Sequence, residues 1–125
     1  MQHNPGFLKL VEQAKQRVKE CSVAAVKAKL DRGETFHLID VREDHEYAND
    51  RAQGARHLGK GIIERDIESQ IPNKQEEIVL YCGGGYRSAL AADALQHMGY
   101  TNVWSMEGGM KAWREARYPL EHGSR

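Results

Sequence analysis

Apolar residues follow two different periods along this chain, and the alternation between them predicts an α/β protein. Residues 36–41 and 78–81 are short, nearly continuous apolar runs, as expected for strands that are buried on both faces. Apolar positions three or four residues apart predict helices over residues 7–16 and 88–98. Further strands are expected over residues 18–21, 55–58 and 102–105, and further helices between Ser22 and Gly33 and over residues 43–48, 62–71 and 110–116.

The order of these elements predicts a mainly parallel sheet with helices on both faces, because strands and helices alternate throughout. With 125 residues, the chain is long enough for one core but not for two. We expect an N-terminal helical extension over residues 1–17, one domain over residues 18–120 and a short tail over residues 121–125. The extension either pads an edge of the sheet or mediates dimerisation, and padding is the simpler expectation.

Composition narrows the choice of partners and compartments. Lys plus Arg and Asp plus Glu each total 18, so the formal net charge is zero, and neither nucleic acid nor a membrane surface is an expected partner. Two cysteines, Cys21 and Cys82, are too few for a disulfide scaffold. The first residues do not resemble a signal peptide, and no apolar stretch approaches the roughly 18 residues of a spanning helix. A soluble, reduced, cytoplasmic protein is therefore expected.

The segment Tyr81-Cys82-Gly83-Gly84-Gly85-Tyr86-Arg87-Ser88 places a thiol between the end of a predicted strand and the start of a predicted helix. Glycines allow the backbone to fold back, so that several N–H groups point at one atom. The first turn of the helix adds unpaired N–H groups and the positive end of its dipole. Ligands of parallel sheets bind beyond the carboxyl ends of the strands, where Cys82 is expected to lie. The segment therefore predicts a stabilised thiolate that acts as a nucleophile.

Four further motifs accompany this loop, and together they resemble the rhodanese-like sulfurtransferase domain. In chain order they are Leu38-Ile39-Asp40-Val41-Arg42, Gly54-Ala55-Arg56-His57-Leu58, Gly99-Tyr100-Thr101-Asn102-Val103 and Glu107-Gly108-Gly109-Met110-Lys111-Ala112-Trp113. The resemblance covers about residues 18–120. It implies a single small α/β domain with a central, mainly parallel sheet of five strands.

The resemblance also implies a reaction. Cys82 would take a sulfane sulfur from a donor such as thiosulfate, hold it as a persulfide and pass it to cyanide, a small thiol or a thioredoxin-like protein. The residues implied to bind substrate are those of the loop and the helix start: Gly83, Gly84, Gly85, Tyr86, Arg87 and Ser88. No cofactor is implied, and no group of residues has the spacing of a zinc site.

Loop length separates the chemistries of the family. Its phosphatases and arsenate reductases have a loop that is one residue longer, whereas here Arg87 comes five positions after Cys82. The spacing therefore favours sulfur over phosphate or arsenate. A start of Cys-Gly-x-Gly is similar to that of relatives that use mercaptopyruvate, so the donor stays open. A non-enzymatic binding or sensor module is the main alternative function.

Several side chains have two interpretations at this stage. Arg87 either attracts an anionic donor or points outward to a carboxylate, and Tyr86 either lines the mouth of a pocket or lies on the surface. Asp40 and Arg42, just after a buried strand, are expected to brace neighbouring loops rather than to catalyse. Cys21 is expected to be a small buried apolar residue rather than a second reactive thiol.

Overall fold

Five parallel strands form the central sheet of the computed structural model, which describes residues 3–123. Within these residues the strands are β1 Lys19–Cys21, β2 His37–Asp40, β3 Asp50–Ala52, β4 Arg56–His57, β5 Ile78–Tyr81, β6 Val103–Met106 and β7 Leu120–His122. The central sheet has the order β1-β6-β5-β2-β4, and every neighbouring pair in it is parallel. The predicted five-stranded α/β fold is confirmed.

Helices cover both faces of this sheet. They are α1 Pro5–Lys15, α2 Val23–Asp31, α3 Asp44–Asn49, α4 Ile63–Gln70, α5 Tyr86–His97 and α6 Gly109–Glu115 in the described part of the chain. Alternate residues of β5 enter different cores: Ile78 and Leu80 pack with α4 and α5, and Val79 and Tyr81 pack with α2 and α6. Burial on both faces explains why this strand is apolar at every position.

Two predicted boundaries have clear local causes in the structure. Ser22 caps α2, since its hydroxyl accepts a hydrogen bond from the backbone N–H of Ala25 at 3.0 Å. Helix α5 begins at Tyr86, two residues before the predicted start at Ser88. The reason is Gly85, whose left-handed φ of 99° turns the chain directly from the loop into the helix.

A second, small sheet was not predicted from the sequence. Strands β3 and β7 pair antiparallel, with Asp50 opposite His122 and Ala52 opposite Leu120. The guanidinium of Arg51 ties the pair together by donating to the carbonyl oxygens of Tyr47, at 2.9 Å, and Gly123, at 2.8 Å. Tyr81 joins this sheet to the central one, because its hydroxyl oxygen accepts a hydrogen bond from the N–H of Ala52 at 3.1 Å.

Helix α1 packs along α5 and buries Val11 and Ala14 there. Its C-terminal end is held by Arg17, which makes a double hydrogen bond to the carboxylate of Asp93 at 2.7 and 3.0 Å. The helix thus covers α5, and its Lys15 also reaches Glu20 of the edge strand β1 at 3.4 Å. No helix of residues 3–123 is long and apolar enough to cross a membrane.

Asp40 and Arg42 form a buried ion pair at the carboxyl end of β2. The Arg42 guanidinium donates to both carboxylate oxygens of Asp40 at 2.7–3.0 Å and to the carbonyl oxygen of Asp50 at 2.6 Å. Both side chains are almost completely buried. The expectation that this pair braces neighbouring segments agrees with these contacts, which join β2 to the start of β3.

Candidate active site

Cys82 directly follows β5, the middle strand of the central sheet, at its carboxyl end. Its sulfur accepts hydrogen bonds from two backbone N–H groups, those of Gly85 at 3.1 Å and Ser88 at 3.3 Å. The hydroxyl oxygen of Ser88 lies 3.5 Å from the same sulfur. Cys82 is only 1% exposed, so these donors act where water does not compete with them. The arrangement can stabilise a sulfur anion.

The first turn of α6 holds the cysteine loop from behind. The carbonyl oxygen of Cys82 accepts from the N–H of Met110 at 2.8 Å, and that of Gly83 accepts from the N–H of Lys111 at 3.0 Å. In a planar trans peptide, the N–H points opposite to the C=O. Because these two carbonyl groups face α6, the N–H groups of Gly83 and Gly84 face away from it. Helix α6 therefore orients the loop donors.

Glycine is required where the two loops meet. Gly109 has φ +52°, and a Cβ atom there would overlap the carbonyl oxygen of Cys82 and lie 2.8 Å from the carbonyl carbon of Gly83. Gly85 has φ +99°, and a Cβ there would lie 3.2 Å from the backbone nitrogen of Gly108. Both positions also have positive φ, which side chains disfavour. The close approach of the backbones thus depends on these glycines.

Arg87 points to a carboxylate rather than to the sulfur of Cys82. Its guanidinium donates to Glu46 of α3 at 2.9 and 3.3 Å. The hydrogen bonds from Arg87 are the main reason that the pKa of Glu46 falls from its usual 4.5 to about 2. The same bonds, with Glu46 as the largest cause, raise the pKa of Arg87. Of the two interpretations of Arg87, the structure shows the second, in which the side chain points outward and pairs with a carboxylate.

The model of the rhodanese-like domain family matches residues 22–116. The chain belongs to this family. A putative sulfurtransferase of Bacillus subtilis, YtwF, is 38% identical over 102 residues, which are 82% of this chain and 96% of that protein. The thiosulfate sulfurtransferase PspE of Escherichia coli is 35% identical over 60% of this chain and 71% of its own length.

Solved structures are similar in fold. A protein from Rhodopseudomonas palustris, described as of unknown function and a possible tyrosine phosphatase, has a TM-score of 0.82 and 29% identity, with 97% of this chain and 98% of that chain covered. A thiosulfate sulfurtransferase from Pseudomonas aeruginosa has a TM-score of 0.78 and 26% identity over 85% of this chain and 20% of its own. The relatives thus place this rhodanese-like domain among the sulfurtransferases in general.

A cavity of about 450 Å³ opens beside the cysteine loop of this rhodanese-like domain. Gly83 forms part of its wall, and α3 and α6 contribute Glu46 and Arg114 among others. Arg114 is already paired, since it donates to the carboxylate of Asp50 at 2.6 and 3.1 Å. The cavity therefore gives access to the loop between charged side chains that are already paired, Glu46 with Arg87 and Arg114 with Asp50.

The side chain of Tyr86 lies against α1. Its ring centroid is 6.2 Å from that of Phe7 and 4.9 Å from that of His3, and Lys15 Nζ lies 5.2 Å from the ring centroid. It is not among the residues that line the cavity beside Gly83. The ring is therefore packed against α1, where Phe7 supplies an apolar partner for it.

The sequence analysis assigned no role at the site to two side chains, Glu46 and Ser105, and it named the start of α6 only as a family motif, without its contact to the loop. Glu46 holds Arg87, the first turn of α6 holds the loop, and Ser105 of β6 lies with its hydroxyl oxygen 2.7 Å from that of Ser88. A serine inside the otherwise apolar strand Val103–Met106 is the one signal that could have indicated the last of these.

Cys21 is a half-buried thiol outside the cysteine loop. Burial is the largest cause that raises its pKa to about 11, so it remains a protonated thiol at neutral pH. Its sulfur lies 3.9 Å from the carbonyl oxygen of Ser105, to which it donates weakly. These surroundings agree with the expected structural role and not with a second reactive thiolate.

Proposed function

We propose that this protein is a sulfurtransferase that moves a sulfane sulfur from thiosulfate or a related donor, through a persulfide on Cys82, to a thiol or cyanide. The observation that carries this proposal is the pair of N–H groups, from Gly85 and Ser88, that donate to a buried cysteine sulfur at the start of a helix. Membership of the rhodanese-like family and the sulfurtransferase relatives support it.

The first half-reaction loads the cysteine. The Cys82 thiolate attacks the outer sulfur of thiosulfate, a new S–S bond forms, and sulfite leaves with the electron pair of the old S–S bond. The product is Cys82-S-S⁻, whose negative charge lies on the terminal sulfur. N–H groups of the loop from Gly83 to Ser88 are the donors available to this sulfur, and they need no reorganisation because α6 holds the loop.

The second half-reaction unloads the cysteine. A thiolate or cyanide attacks the terminal sulfur, the S–S bond to Cys82 breaks, and the electron pair returns to Cys82 as a thiolate. The N–H groups of Gly85 and Ser88 then stabilise this leaving group, as they stabilise the nucleophile in the first step. The acceptor is a small thiol, cyanide or a thioredoxin-like protein, and the expected cytoplasmic location belongs to the same proposal.

The contacts of Arg87 favour sulfur transfer over phosphate chemistry. Cleavage of a phosphate ester requires cationic groups on the phosphoryl oxygens. Here the Arg87 guanidinium is committed to Glu46 at 2.9 and 3.3 Å. The short interval between Cys82 and Arg87 points the same way. Because a structural relative is described as a possible tyrosine phosphatase, phosphatase activity is the second candidate to be measured.

The proposal is tested by cyanide-dependent formation of thiocyanate with thiosulfate, mercaptopyruvate and a persulfide as donors. The wild-type protein and the matched control Cys21→Ala are expected to be active with at least one donor, and Cys82→Ser is expected to be inactive. Hydrolysis of an aryl phosphate is followed with the same three proteins. Cys82-dependent phosphate release without thiocyanate formation would replace the proposed function with that of a phosphatase.

A further inference from the structure

Two buried serine hydroxyls form a chain that ends at the Cys82 sulfur. Ser105 of β6 and Ser88 in the first turn of α5 are both 0% exposed, and their hydroxyl oxygens are 2.7 Å apart. The Ser88 oxygen is 3.5 Å from Cys82 Sγ. A polar side chain without water must find its partners within the protein. These two hydroxyls therefore determine each other's direction.

The number of protons on the two hydroxyls and the sulfur determines the direction of the hydrogen bonds between them. Each hydroxyl has one proton to donate, whereas a thiolate can only accept. Ser88 Oγ is the side-chain partner that the described residues provide for Ser105 Oγ. When Cys82 is a thiolate, the arrangement that uses both protons is Ser105 donating to Ser88 and Ser88 donating to the sulfur. When Cys82 is a thiol, its S–H donates to Ser88, and Ser88 donates to Ser105.

A serine in the first turns of a helix has a competing choice. Its hydroxyl can rotate and donate to a backbone carbonyl oxygen three or four residues earlier in the chain. A donor that already occupies the lone pair of Ser88 favours the rotamer in which the Ser88 proton points to the sulfur. Ser105 lies on a neighbouring strand, β6, and so supplies that donor from a rigid element.

We propose that Ser105 is a positioning residue: its hydroxyl orients the Ser88 hydroxyl toward Cys82 and so stabilises the thiolate that attacks the donor and later leaves the persulfide. The inference rests on the proposed function for its role in sulfur transfer. The hydrogen-bond chain itself can be tested without any sulfur donor. Hydrogen bonds in such a chain polarise one another, so the effect of Ser105 is transmitted through Ser88.

The titratable groups near the sulfur do not replace the hydrogen bonds from Ser105 to Ser88 and from Ser88 to Cys82. Arg87, on the same helix as Ser88, is paired with Glu46 of α3 at 2.9 Å. Cys21, on β1, contacts Ser105 through the backbone carbonyl oxygen and not through the hydroxyl, and burial raises its pKa to about 11. The two hydroxyls thus form a separate contribution from that of the ion pair.

The test is the rate of alkylation of Cys82 by iodoacetamide at about pH 6 and about pH 9, read by mass spectrometry of the tryptic peptide 75–87, which excludes Cys21. We divide the rate at about pH 6 by the rate at about pH 9, and differences between variants in access to the buried sulfur cancel in this ratio. For Ser105→Ala we expect this ratio to fall about three- to tenfold. Without the Ser105 hydroxyl, the Ser88 hydroxyl is no longer directed at the Cys82 thiolate, and the thiolate loses that hydrogen bond. Ser88→Ala is expected to lower it at least as much.

Three further variants separate positioning from structure. Ser105→Thr keeps the hydroxyl and is expected to restore the ratio. The double variant Ser88→Ala/Ser105→Ala is expected to match Ser88→Ala alone, because Ser105 acts only through Ser88. Tyr100→Phe is the control for losing a buried hydroxyl, since Tyr100 donates to the Ile71 carbonyl oxygen at 2.6 Å beyond the other end of α5. It is expected to lower stability and leave the ratio unchanged.

Two results would overturn the inference. One is a Ser105→Ala protein that keeps the wild-type ratio, and the other is a double variant whose fold-loss equals the product of the two single fold-losses. Circular dichroism confirms that each protein is folded, and each alanine variant removes one oxygen atom and keeps its Cβ. A normal alkylation pattern with no sulfur transfer would reject the proposed function and leave the hydrogen-bond chain in place.

Discussion

At the residue scale, the ion pair between Arg87 and Glu46 turns the guanidinium away from the Cys82 sulfur and toward α3. It joins the start of α5 to α3 and holds the guanidinium close to Gly83, where an added Cβ would lie 3.1 Å from Arg87 Nη2. The backbone N–H groups of Gly85 and Ser88 and the Ser88 hydroxyl are then the donors that face the sulfur. This is consistent with a small, polarisable ligand such as a sulfane sulfur.

Glu46→Gln tests this ion pair. The glutamine keeps an oxygen that can accept the hydrogen bond from the N–H of Glu43, but it loses the charge that Arg87 binds. Because the Glu46 side chain is 28% exposed, solvent screens the pair, and we expect a loss of about 1 kcal/mol in the free energy of unfolding at neutral pH. Urea unfolding measures this loss.

The pH dependence of that loss has a definite sign. The pKa of Glu46 is about 2 in the folded protein and 4.5 ordinarily, so folding favours the ionised carboxylate. The stabilisation is complete above pH 4.5 and disappears as the pH falls toward about 2. The difference between wild type and Glu46→Gln should therefore shrink over this window. A difference that stays constant would show that the charge is not the cause.

The sequence predicted that backbone N–H groups converge on the Cys82 sulfur, as the structure shows, and it missed the side chains that support this arrangement. Cys82 stands beside glycines and a helix start, so its surroundings are local in the chain. Glu46 and Ser105 reach the site from positions far along the sequence, 41 residues from Arg87 and 17 from Ser88. Their partners depend on how strands and helices pack, which a local pattern does not contain.

At the scale of elements, the start of α6 is as important as the loop that it holds. Gly109→Ala would force a Cβ against the carbonyl group of Cys82, so the loop must move. We expect a loss of about 2 kcal/mol or more in stability and at least about a tenfold slower loading of Cys82 with sulfur, because the N–H groups lose their alignment.

The matched control for that substitution is Gly61→Ala. A Cβ at Gly61 would meet no atom within 4 Å, and its φ is not in the left-handed region. Stability and loading rate are measured for both variants by denaturant unfolding and by mass spectrometry. If Gly109→Ala loads sulfur as fast as Gly61→Ala, the proposed orientation of the loop by α6 is wrong.

Helix α1 provides a second prediction at this scale. Val11 is 3% exposed on the helix that packs against α5, whereas Leu10 on the same helix is 54% exposed. We expect Val11→Ala to cost about 2 kcal/mol in unfolding free energy and Leu10→Ala less than about 0.5 kcal/mol. Equal effects in thermal or urea unfolding would mean that α1 does not pack on α5 in solution.

The elements that the sequence predicted and those that it missed differ in what stabilises them. Strand β5 is buried at every position and has no charged residue, and the centre of β2, Leu38 and Ile39, is apolar for the same reason. Strand β3 contains Asp50 and Arg51, and its stability comes from pairing with β7, about 70 residues away. A short polar strand with a distant partner has no local pattern that would reveal it.

At the scale of the whole molecule, the fold places the Cys82 sulfur where several elements converge. The parallel order β1-β6-β5-β2-β4 puts β5 in the centre, so the loop after it is flanked by the ends of β2 and β6. Asp40 and Arg42 brace the first of these ends, and α6 follows the second. Alternation of strands and helices predicted the parallel sheet and the position of Cys82 beyond a strand end, whereas the strand order was not predicted from the sequence.

The most direct measurement of the central claim is the mass of the intact protein after incubation with a sulfur donor and removal of the excess. We predict a gain of one sulfur atom, located on Cys82, that disappears when cyanide or a thiol is added and is absent from Cys82→Ser. Thiosulfate, mercaptopyruvate and a persulfide are each supplied as donor. No gain with any of them, or a gain located on Cys21, would contradict the claim that Cys82 carries the sulfur.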